Sequence, residues 1–372
     1  MDEAVLKPVR FAELLAQEQA KGLLVRSALS GRLPHAFLFC GLEGTGRRTA
    51  ARMLAALLNC QSPEAGDACG RCRSCRKLAR GTHPDLLLVE PEAGAKKGSG
   101  QGAGEKGGQG GASGRKGLQL TIGQVRELTR RLSFAPAEAR VRVSVLWPAG
   151  RLNEEASNAL LKTLEEPPAG NLLILCCREP GEVLPTIASR CQQVSFAPLP
   201  DAVVTGWLLE RGCEPELAAR LAYLAGGSLT RAERLLEEKG FWEWRERLLE
   251  VACSAEPRPH TALLELAAEL WPSRRSAEEA KARLDLIGDL LEAVGSGLRD
   301  ALVLAAAGRA DNLLINQDYA AQLTALATCG PEPLLARAAA LERARSAIEA
   351  NCDPQLALEV LLFELAESGH GA

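Results

Sequence analysis

The sequence predicts an α/β sandwich built on a largely parallel sheet and followed by an all-helical C-terminal half. Three observations carry this. Short apolar runs at 34–40, 85–91, 141–147, 172–177 and 192–196 read as strands, several of them apolar at every position, as strands covered on both faces should be. Amphipathic helical patterns at 12–30, 48–58, 122–132 and 153–166 lie between them, and that alternation is the signature of a parallel sheet. After Pro198 and Pro200 the strands stop and only helical periodicity continues.

In chain order, the helix at 12–30 leads into the strand 34–40, and that strand runs into Gly41-Leu42-Glu43-Gly44-Thr45-Gly46-Arg47-Arg48-Thr49. The helical pattern 48–58 follows directly. Strand, glycine-rich turn and helix in this order form a phosphate-cradling loop: the glycines let backbone N–H groups approach an anion at a helix N-terminus. A plain glycine-rich strand-to-helix turn, as found in many α/β proteins, is the alternative. Gly41, Gly44, Gly46, Arg47, Arg48 and Thr49 are therefore the candidate nucleotide-binding residues. The loop departs from a working site in detail. Arg47 stands where a lysine belongs, and Arg48 replaces the hydroxyl residue that would bind Mg²⁺. The loop shape survives while the hydrolytic chemistry is not expected to.

Cys60, Cys69, Cys72 and Cys75 follow as C-x8-C-x2-C-x2-C. Four soft thiolates at close spacing suit a closed tetrahedral structural zinc site, with an iron–sulfur cluster as the second reading. They lie in a polar, turn-like stretch where apolar packing gives no reason for cysteine. The other cysteines, at 40, 176, 177, 191, 213, 253, 329 and 352, fall mostly in apolar patterns and read as buried residues.

Residues 93–117 contain 11 glycines and five cations, Lys96, Lys97, Lys106, Arg115 and Lys116, against the single acid Glu105. So little apolar content predicts a disordered basic insertion acting as a spacer. The helix 153–166 is the best marked: Asn153 is a good N-cap, Glu154 and Glu155 occupy the first turn, and Pro167-Pro168 stops it. Glu165 and Glu166 are adjacent, so they face different sides and read as a helix end rather than a paired acid/base site. His35 and His83 have no nucleophile partner at a catalytic spacing. Beyond 198, helical patterns run at 207–211, 215–224, 229–238, 261–270, 277–304, 319–326, 331–350 and 354–368, with breaks expected near Pro257, Pro259 and Pro272.

At 372 residues the chain should hold two or three domains. A net charge of −3 argues against a surface that is basic throughout. There is no apolar run of membrane-spanning length and the N-terminus is acidic, so a cytoplasmic protein is expected.

The loop, the four cysteines, Gly81-Thr82-His83-Pro84-Asp85, Asn158-Ala159-Leu160-Leu161-Lys162-Thr163-Leu164-Glu165-Glu166-Pro167-Pro168 and Ser189-Arg190-Cys191 occur in sequence. In that order they resemble the bacterial clamp-loader subunits of the AAA+ class over most of residues 10–200. The helical half, including Asp311-Asn312-Leu313-Leu314-Ile315-Asn316, is similar to the same family more loosely. The resemblance implies an AAA+ domain at 1–197 with a zinc module at 60–75, a small helical lid at 198–255 and a helical collar at 256–372. Two kinds of subunit share these strings: gamma and tau motors, which hydrolyse ATP, and a delta-prime type that resembles them but has lost the residues needed. Here the strand that leads the motors into an acidic pair runs into Trp147-Pro148, and Thr230 stands where a sensor arginine follows Gly227-Ser228-Leu229, with Arg231 one residue on. The resemblance makes Arg190, flanked by Ser189 and Cys191, an arginine finger reaching a neighbour's ATP. It also implies structural Zn²⁺, and as partners the gamma/tau motors, the delta subunit, the sliding clamp and primer-template DNA, with no membrane. The sequence leaves nucleotide binding by the altered loop open. An ATP-hydrolysing motor with an altered loop is the alternative. A zinc-containing nucleic-acid module, resting on Arg71, Arg73, Arg76 and Lys77, ranks last because it leaves the other strings unexplained.

Overall fold

The computed structural model describes residues 7–91, 119–238, 240–253, 258–272, 276–307, 314–350 and 352–367. The glycine-rich insertion expected at 93–117, the break at Pro257, the helix end at Ser368 and the string Asp311-Asn312-Leu313 lie outside the described residues. The chain divides into two compact units. One runs to Val204 and includes Gly226–Arg231; the other holds Thr205–Ala225 and the residues from Ala232 onward.

The first unit is built on five strands: β1 (Ala36–Cys40), β2 (Leu86–Val89), β3 (Arg142–Leu146), β4 (Asn171–Cys177) and β5 (Gln192–Ser195), in the order β2-β3-β4-β1-β5. All neighbours pair in parallel. Side chains alternate between the faces along each strand, so a strand with apolar residues at every position needs cover on both sides. On one face Phe37, Phe39, Val143, Val145 and Ile174 pack with Leu24 of α1 (Glu18–Leu29) and with Met53 and Leu54 of α2 (Arg47–Asn59). On the other, Leu38, Leu146, Leu173 and Leu175 pack with Val125 and Leu128 of α4 (Ile122–Leu132) and with Leu160 and Leu164 of α5 (Glu154–Glu165). α3 (Arg73–Ala79) starts after Cys72 and contains Cys75, and α6 (Pro185–Ala188) precedes β5. The expected N-cap holds, with Asn153 Oδ1 accepting from Ala156 N–H at 2.8 Å.

The long first helix expected over 12–30 is broken. Residues 11–13 form one 3₁₀ turn, then Ala16 and Gln17 take φ of 51° and 64°, and α1 starts only at Glu18. The cause is tertiary. Gln17 is buried, its Nε2 donating to the carbonyls of Thr45 (3.2 Å) and Ala197 (2.6 Å) and its Oε1 accepting from Ala197 N–H at 3.1 Å. Asp67 accepts from the backbone N–H of Phe11 and Ala12, both at 3.0 Å, and so holds the 3₁₀ turn. These bonds outweigh a helix periodicity worth only tenths of a kcal/mol per residue.

Asp85, just before β2, is a buried charge. Its carboxylate accepts from the N–H groups of Ala137, Glu138 and Ala139 at 2.8–2.9 Å and pairs with Arg142 at 3.3 Å; both side chains are under a tenth exposed. Burial pushes its pKa up, but the three N–H donors and the Arg142 charge outweigh this and leave it lowered. A lowered folded pKa means the contribution is fully present above the unfolded value of about 3.9 and is lost as pH falls through the folded value. Asp85→Ala is expected to cost about 3–5 kcal/mol by leaving Arg142 and three N–H groups buried without it. Chemical denaturation at pH 7 checks this, and the gap between wild type and D85A should shrink as the pH drops below about 4.

In the second unit, α8 (Pro215–Ala225), α10 (Phe241–Cys253), α11 (His260–Leu270), α12 (Ala277–Ala307), α13 (Ala320–Ala327), α14 (Pro331–Glu349) and α15 (Pro354–Glu367) pack with no strand among the described residues. α7 (Asp201–Leu209) and α9 (Leu229–Glu237) begin in the first unit and run into the second. α10 fills a span in which the sequence patterning marks no separate helix. α12 packs against α8, α10, α13 and α14, and α15 against α10, α11 and α14. The expected string ending in Asn316 is fixed by Asp300, which is fully buried and accepts from Ile315 N–H (2.9 Å) and from Asn316 N–H (2.8 Å) and Nδ2 (2.9 Å).

Candidate functional site

The phosphate loop sits at the carboxyl edge of the sheet, between β1 and α2, where open parallel sheets carry their ligands. Its glycines are needed. Gly44 (φ 79°) and Gly46 (φ 96°) are left-handed, and a Cβ on Gly44 would meet Ser228 Oγ at 2.3 Å and the Thr230 backbone nitrogen at 2.7 Å. The Gly44 carbonyl accepts from Leu229 N–H at 3.2 Å, so the Gly227-Ser228-Leu229 turn lies directly against the loop. Gly41 N–H reaches the carbonyls of Cys177 and Arg178 and ties the loop to β4.

Arg47, at the lysine position, turns inward. It is 5 % exposed, donates from its guanidinium to the Cys177 carbonyl, and lies over the Trp147 ring at 4.5 Å. Burial lowers its pKa, yet a guanidinium keeps its charge. Arg48 pairs with Glu90 at 2.8 Å and sits 5.5 Å from the same ring. Thr49 is half-buried in the first turn of α2. Trp147 directly follows β3, and its aromatic ring stands at the strand end where the resemblance puts a carboxylate. A cation–π contact of this kind is worth about 0.5–2 kcal/mol and engages the Arg47 charge inside the protein.

The four cysteines converge. Their Sγ atoms all lie within 4.8 Å of one another, and Cys60, Cys69 and Cys75 are buried. The polar, turn-like reading of this stretch needs correcting: Cys72 is the N-cap of α3, accepting from Cys75 N–H, and Cys75 lies in that helix. Backbone N–H groups point at sulfur throughout, Cys69 to Cys60 (3.3 Å), Cys72 to Cys69 (3.3 Å) and Cys75 to Cys72 (3.5 Å). Burial pushes the Cys72 thiol up, but the backbone N–H groups of Cys75 and Gln61 and the thiols of Cys75 and Cys69 outweigh it and bring it down to about 7. Burial raises Cys60 and Cys75. Four thiolates about 2.3 Å from one ion sit about 3.8 Å apart, so the set fits a tetrahedral soft metal with small adjustment. Of the remaining cysteines, Cys40, Cys176 and Cys177 are buried as expected, whereas Cys329 and Cys352 are exposed, at helix ends where periodicity is a poor guide.

Ser189-Arg190-Cys191 forms a tight turn after α6, with Ser189 N–H to the Pro185 carbonyl (2.9 Å), Arg190 N–H to Ile187 (3.1 Å) and Cys191 N–H to Ala188 (3.2 Å). Ser189 Oγ donates to the Thr186 carbonyl at 3.2 Å. Cys191 is half-buried, and burial pushes its thiol up to about 12, which makes it a packing residue at neutral pH. Arg190 donates to the Thr186 carbonyl (2.9 Å) and to Glu165 Oε1 (2.8 Å). Sequence reasoning missed the Glu165 contact, for which the only signal is the adjacency of two acids at a helix end. His83 is a neutral structural residue: its Nδ1 accepts from Asp85 N–H (3.2 Å), its Nε2 meets Ser74 Oγ (3.3 Å), and burial lowers its pKa.

This geometry defines a class: an α/β protein with a phosphate-loop backbone whose key cation faces inward, a four-thiol centre and a partly exposed arginine on a separate turn. Residues 16–200 match the family model described as "DNA polymerase III, delta subunit". The chain is 38% identical over 232 residues to DNA polymerase III subunit delta′ of Pseudomonas aeruginosa, an alignment covering 60% of this chain and 62% of that relative. It is 31% identical over 271 residues to subunit delta′ of Escherichia coli, covering 72% of each. It is also 34% identical over 210 residues to the gamma/tau subunit of Mycobacterium tuberculosis, covering 56% of this chain and 32% of that one. The chain belongs to the delta-prime family of DNA polymerase III clamp-loader subunits. It spans a little under two thirds of the Pseudomonas relative and about a third of the gamma/tau relative.

Proposed function

We propose that this chain is a non-hydrolysing, structural and activating clamp-loader subunit of DNA replication, which assembles with motor subunits and lends Arg190 to a neighbour's ATP site. The observation that carries the reading is the inward Arg47, held by the Cys177 carbonyl and the Trp147 face. The residue that should grip phosphate has its charge engaged within the fold, and neither Arg48 nor Trp147 offers oxygen to Mg²⁺. The AAA+ assignment of 1–197, the lid at 198–255 and the collar at 256–372 belong to this reading. So do Zn²⁺ held by Cys60, Cys69, Cys72 and Cys75, the partners gamma/tau, delta, sliding clamp and primer-template DNA, and a cytoplasmic location. Among the described residues no helix is long and apolar enough to cross a membrane.

The gamma/tau match favours one alternative, a motor subunit in which Arg47 replaces lysine. Steady-state ATPase of the purified chain separates the two. No turnover above background is expected from the chain alone, and added motor subunits should hydrolyse ATP faster in its presence than in its absence. Turnover by the isolated chain that disappears in R47A would establish the motor reading instead.

A further inference from the structure

We infer that Glu165 is the positioning residue for the Arg190 finger, an inference that rests on the reading of Arg190 just given. The guanidinium is a rigid planar fork with five donors. Here it is held at two nitrogens by groups from two different elements: Nη1 by the Thr186 carbonyl in its own turn, and Nη2 by Glu165 Oε1 from the end of α5. Two fixed points set the plane of the fork, and three N–H groups remain for a phosphate.

Both supports are anchored. α5 is pinned by the buried Thr163 and Leu164 beside Glu165. The chain after it is held by Asn171 Nδ2, which donates to the carbonyls of Pro168 (3.0 Å), Ala169 (3.1 Å) and Leu132 (3.1 Å). On the other side, α6 buries Ile187, and the turn beyond it is closed by the three backbone bonds described above. Glu166, the adjacent acid, makes no ion pair among the described residues, so the placement belongs to Glu165 alone.

The Arg190 and Glu165 side chains are 37 % and 51 % exposed, and an ion pair that open contributes little to stability. Its consequence is geometric. A free arginine must surrender its rotamer freedom on reaching the phosphate of a neighbouring subunit, and a held one has already done so. The Ser189-Arg190-Cys191 turn supplies the charge, and the end of the α5 string supplies its aim.

The test uses the assembled clamp loader with its motor subunits, clamp and primer-template DNA. Single-turnover ATP hydrolysis and steady-state kcat and KM are measured for wild type, E165A, E165Q, R190A and E165A/R190A. E165A should slow the hydrolysis phase served by Arg190 about three- to five-fold with KM for ATP unchanged, the scale set by an exposed ion pair whose loss leaves the Thr186 bond in place. E165Q keeps an acceptor oxygen and should stay within about two-fold of wild type. On top of R190A, E165A should add nothing, because the two act as one unit. A wild-type rate for E165A overturns the inference, as does a further loss on the R190A background, which would place Glu165 in some other role. If R190A is itself silent, the finger reading falls and this inference with it, a result distinct from a silent E165A beside an impaired R190A.

Discussion

Arg190→Ala is expected to leave the chain folded and the complex assembled while slowing ATP hydrolysis at the one motor site it faces by on the order of 10³–10⁵. The reasoning starts from charge. As phosphoryl transfer proceeds, negative charge spreads over the transferred group, and a guanidinium placed in advance stabilises it with no reorganisation at the moment of reaction. Arg190 lies on a surface turn, with a side chain over a third exposed and a two-point support, while the loop of its own chain has Arg47 turned inward. A motor ring holds more than one ATP site, so steady-state turnover should fall only in part, and clamp loading, which needs the sites together, should fall further. Arg190→Lys should recover little, because an ammonium is a point charge and cannot make the planar two-donor contact. Single-turnover hydrolysis and clamp-loading rates of the reconstituted complex measure both effects. An R190A complex loading clamps at the unmutated rate would reduce Arg190 to a surface partner of Glu165.

The second large effect concerns the four thiols. Elemental analysis of the purified chain should give close to one zinc per molecule, and Cys72→Ser should remove most of it. In small zinc peptides a structural site contributes about 10–16 kcal/mol of apparent binding free energy at pH 7, and that energy is folding energy. The segment from Cys60 to Cys75 buries mainly its own thiols and Ala68, and is otherwise held by a reciprocal backbone pair between Glu64 and Asp67, an ion pair of Arg71 with Glu64, the Asp67 bonds to residues 11 and 12, and the N–H groups aimed at sulfur. Metal removal by a chelator, or C72S, should therefore expose this segment to limited proteolysis and lower the thermal midpoint by several degrees. Unchanged metal content and stability in C72S would rule the assignment out. Iron with visible absorption in place of zinc would favour the cluster reading.

Much of the site can be read from residue spacing. C-x8-C-x2-C-x2-C brings four sulfurs together because a thiol centre is a local object, closed by a short loop and one helical turn. The phosphate loop is legible for the same reason, since a glycine run between strand and helix leaves the backbone few choices. The strands are legible because burial on both faces demands apolar residues at every position, and the helix beginning after Asn153 because capping is chemistry of neighbouring residues.

What the sequence by itself determined is thus whatever depends on near neighbours: five strands and most of the helices between them, the helical half, the thiol set, the family, and the presence of Arg47 and Arg48 in the glycine-rich loop and of Trp147 at the end of the third strand. The tertiary structure alone decided the rest. It broke the first helix at Ala16 and Gln17, because Gln17 bonds to Thr45 and Ala197, the latter 180 residues away. It turned Arg47 inward, because the Cys177 carbonyl and the Trp147 face come from two other strand ends of the sheet. It joined Glu165 to Arg190 across 25 residues of chain. In each case the partner is distant in sequence and is chosen by where packing brings a polar group that must be satisfied, a choice no local pattern records.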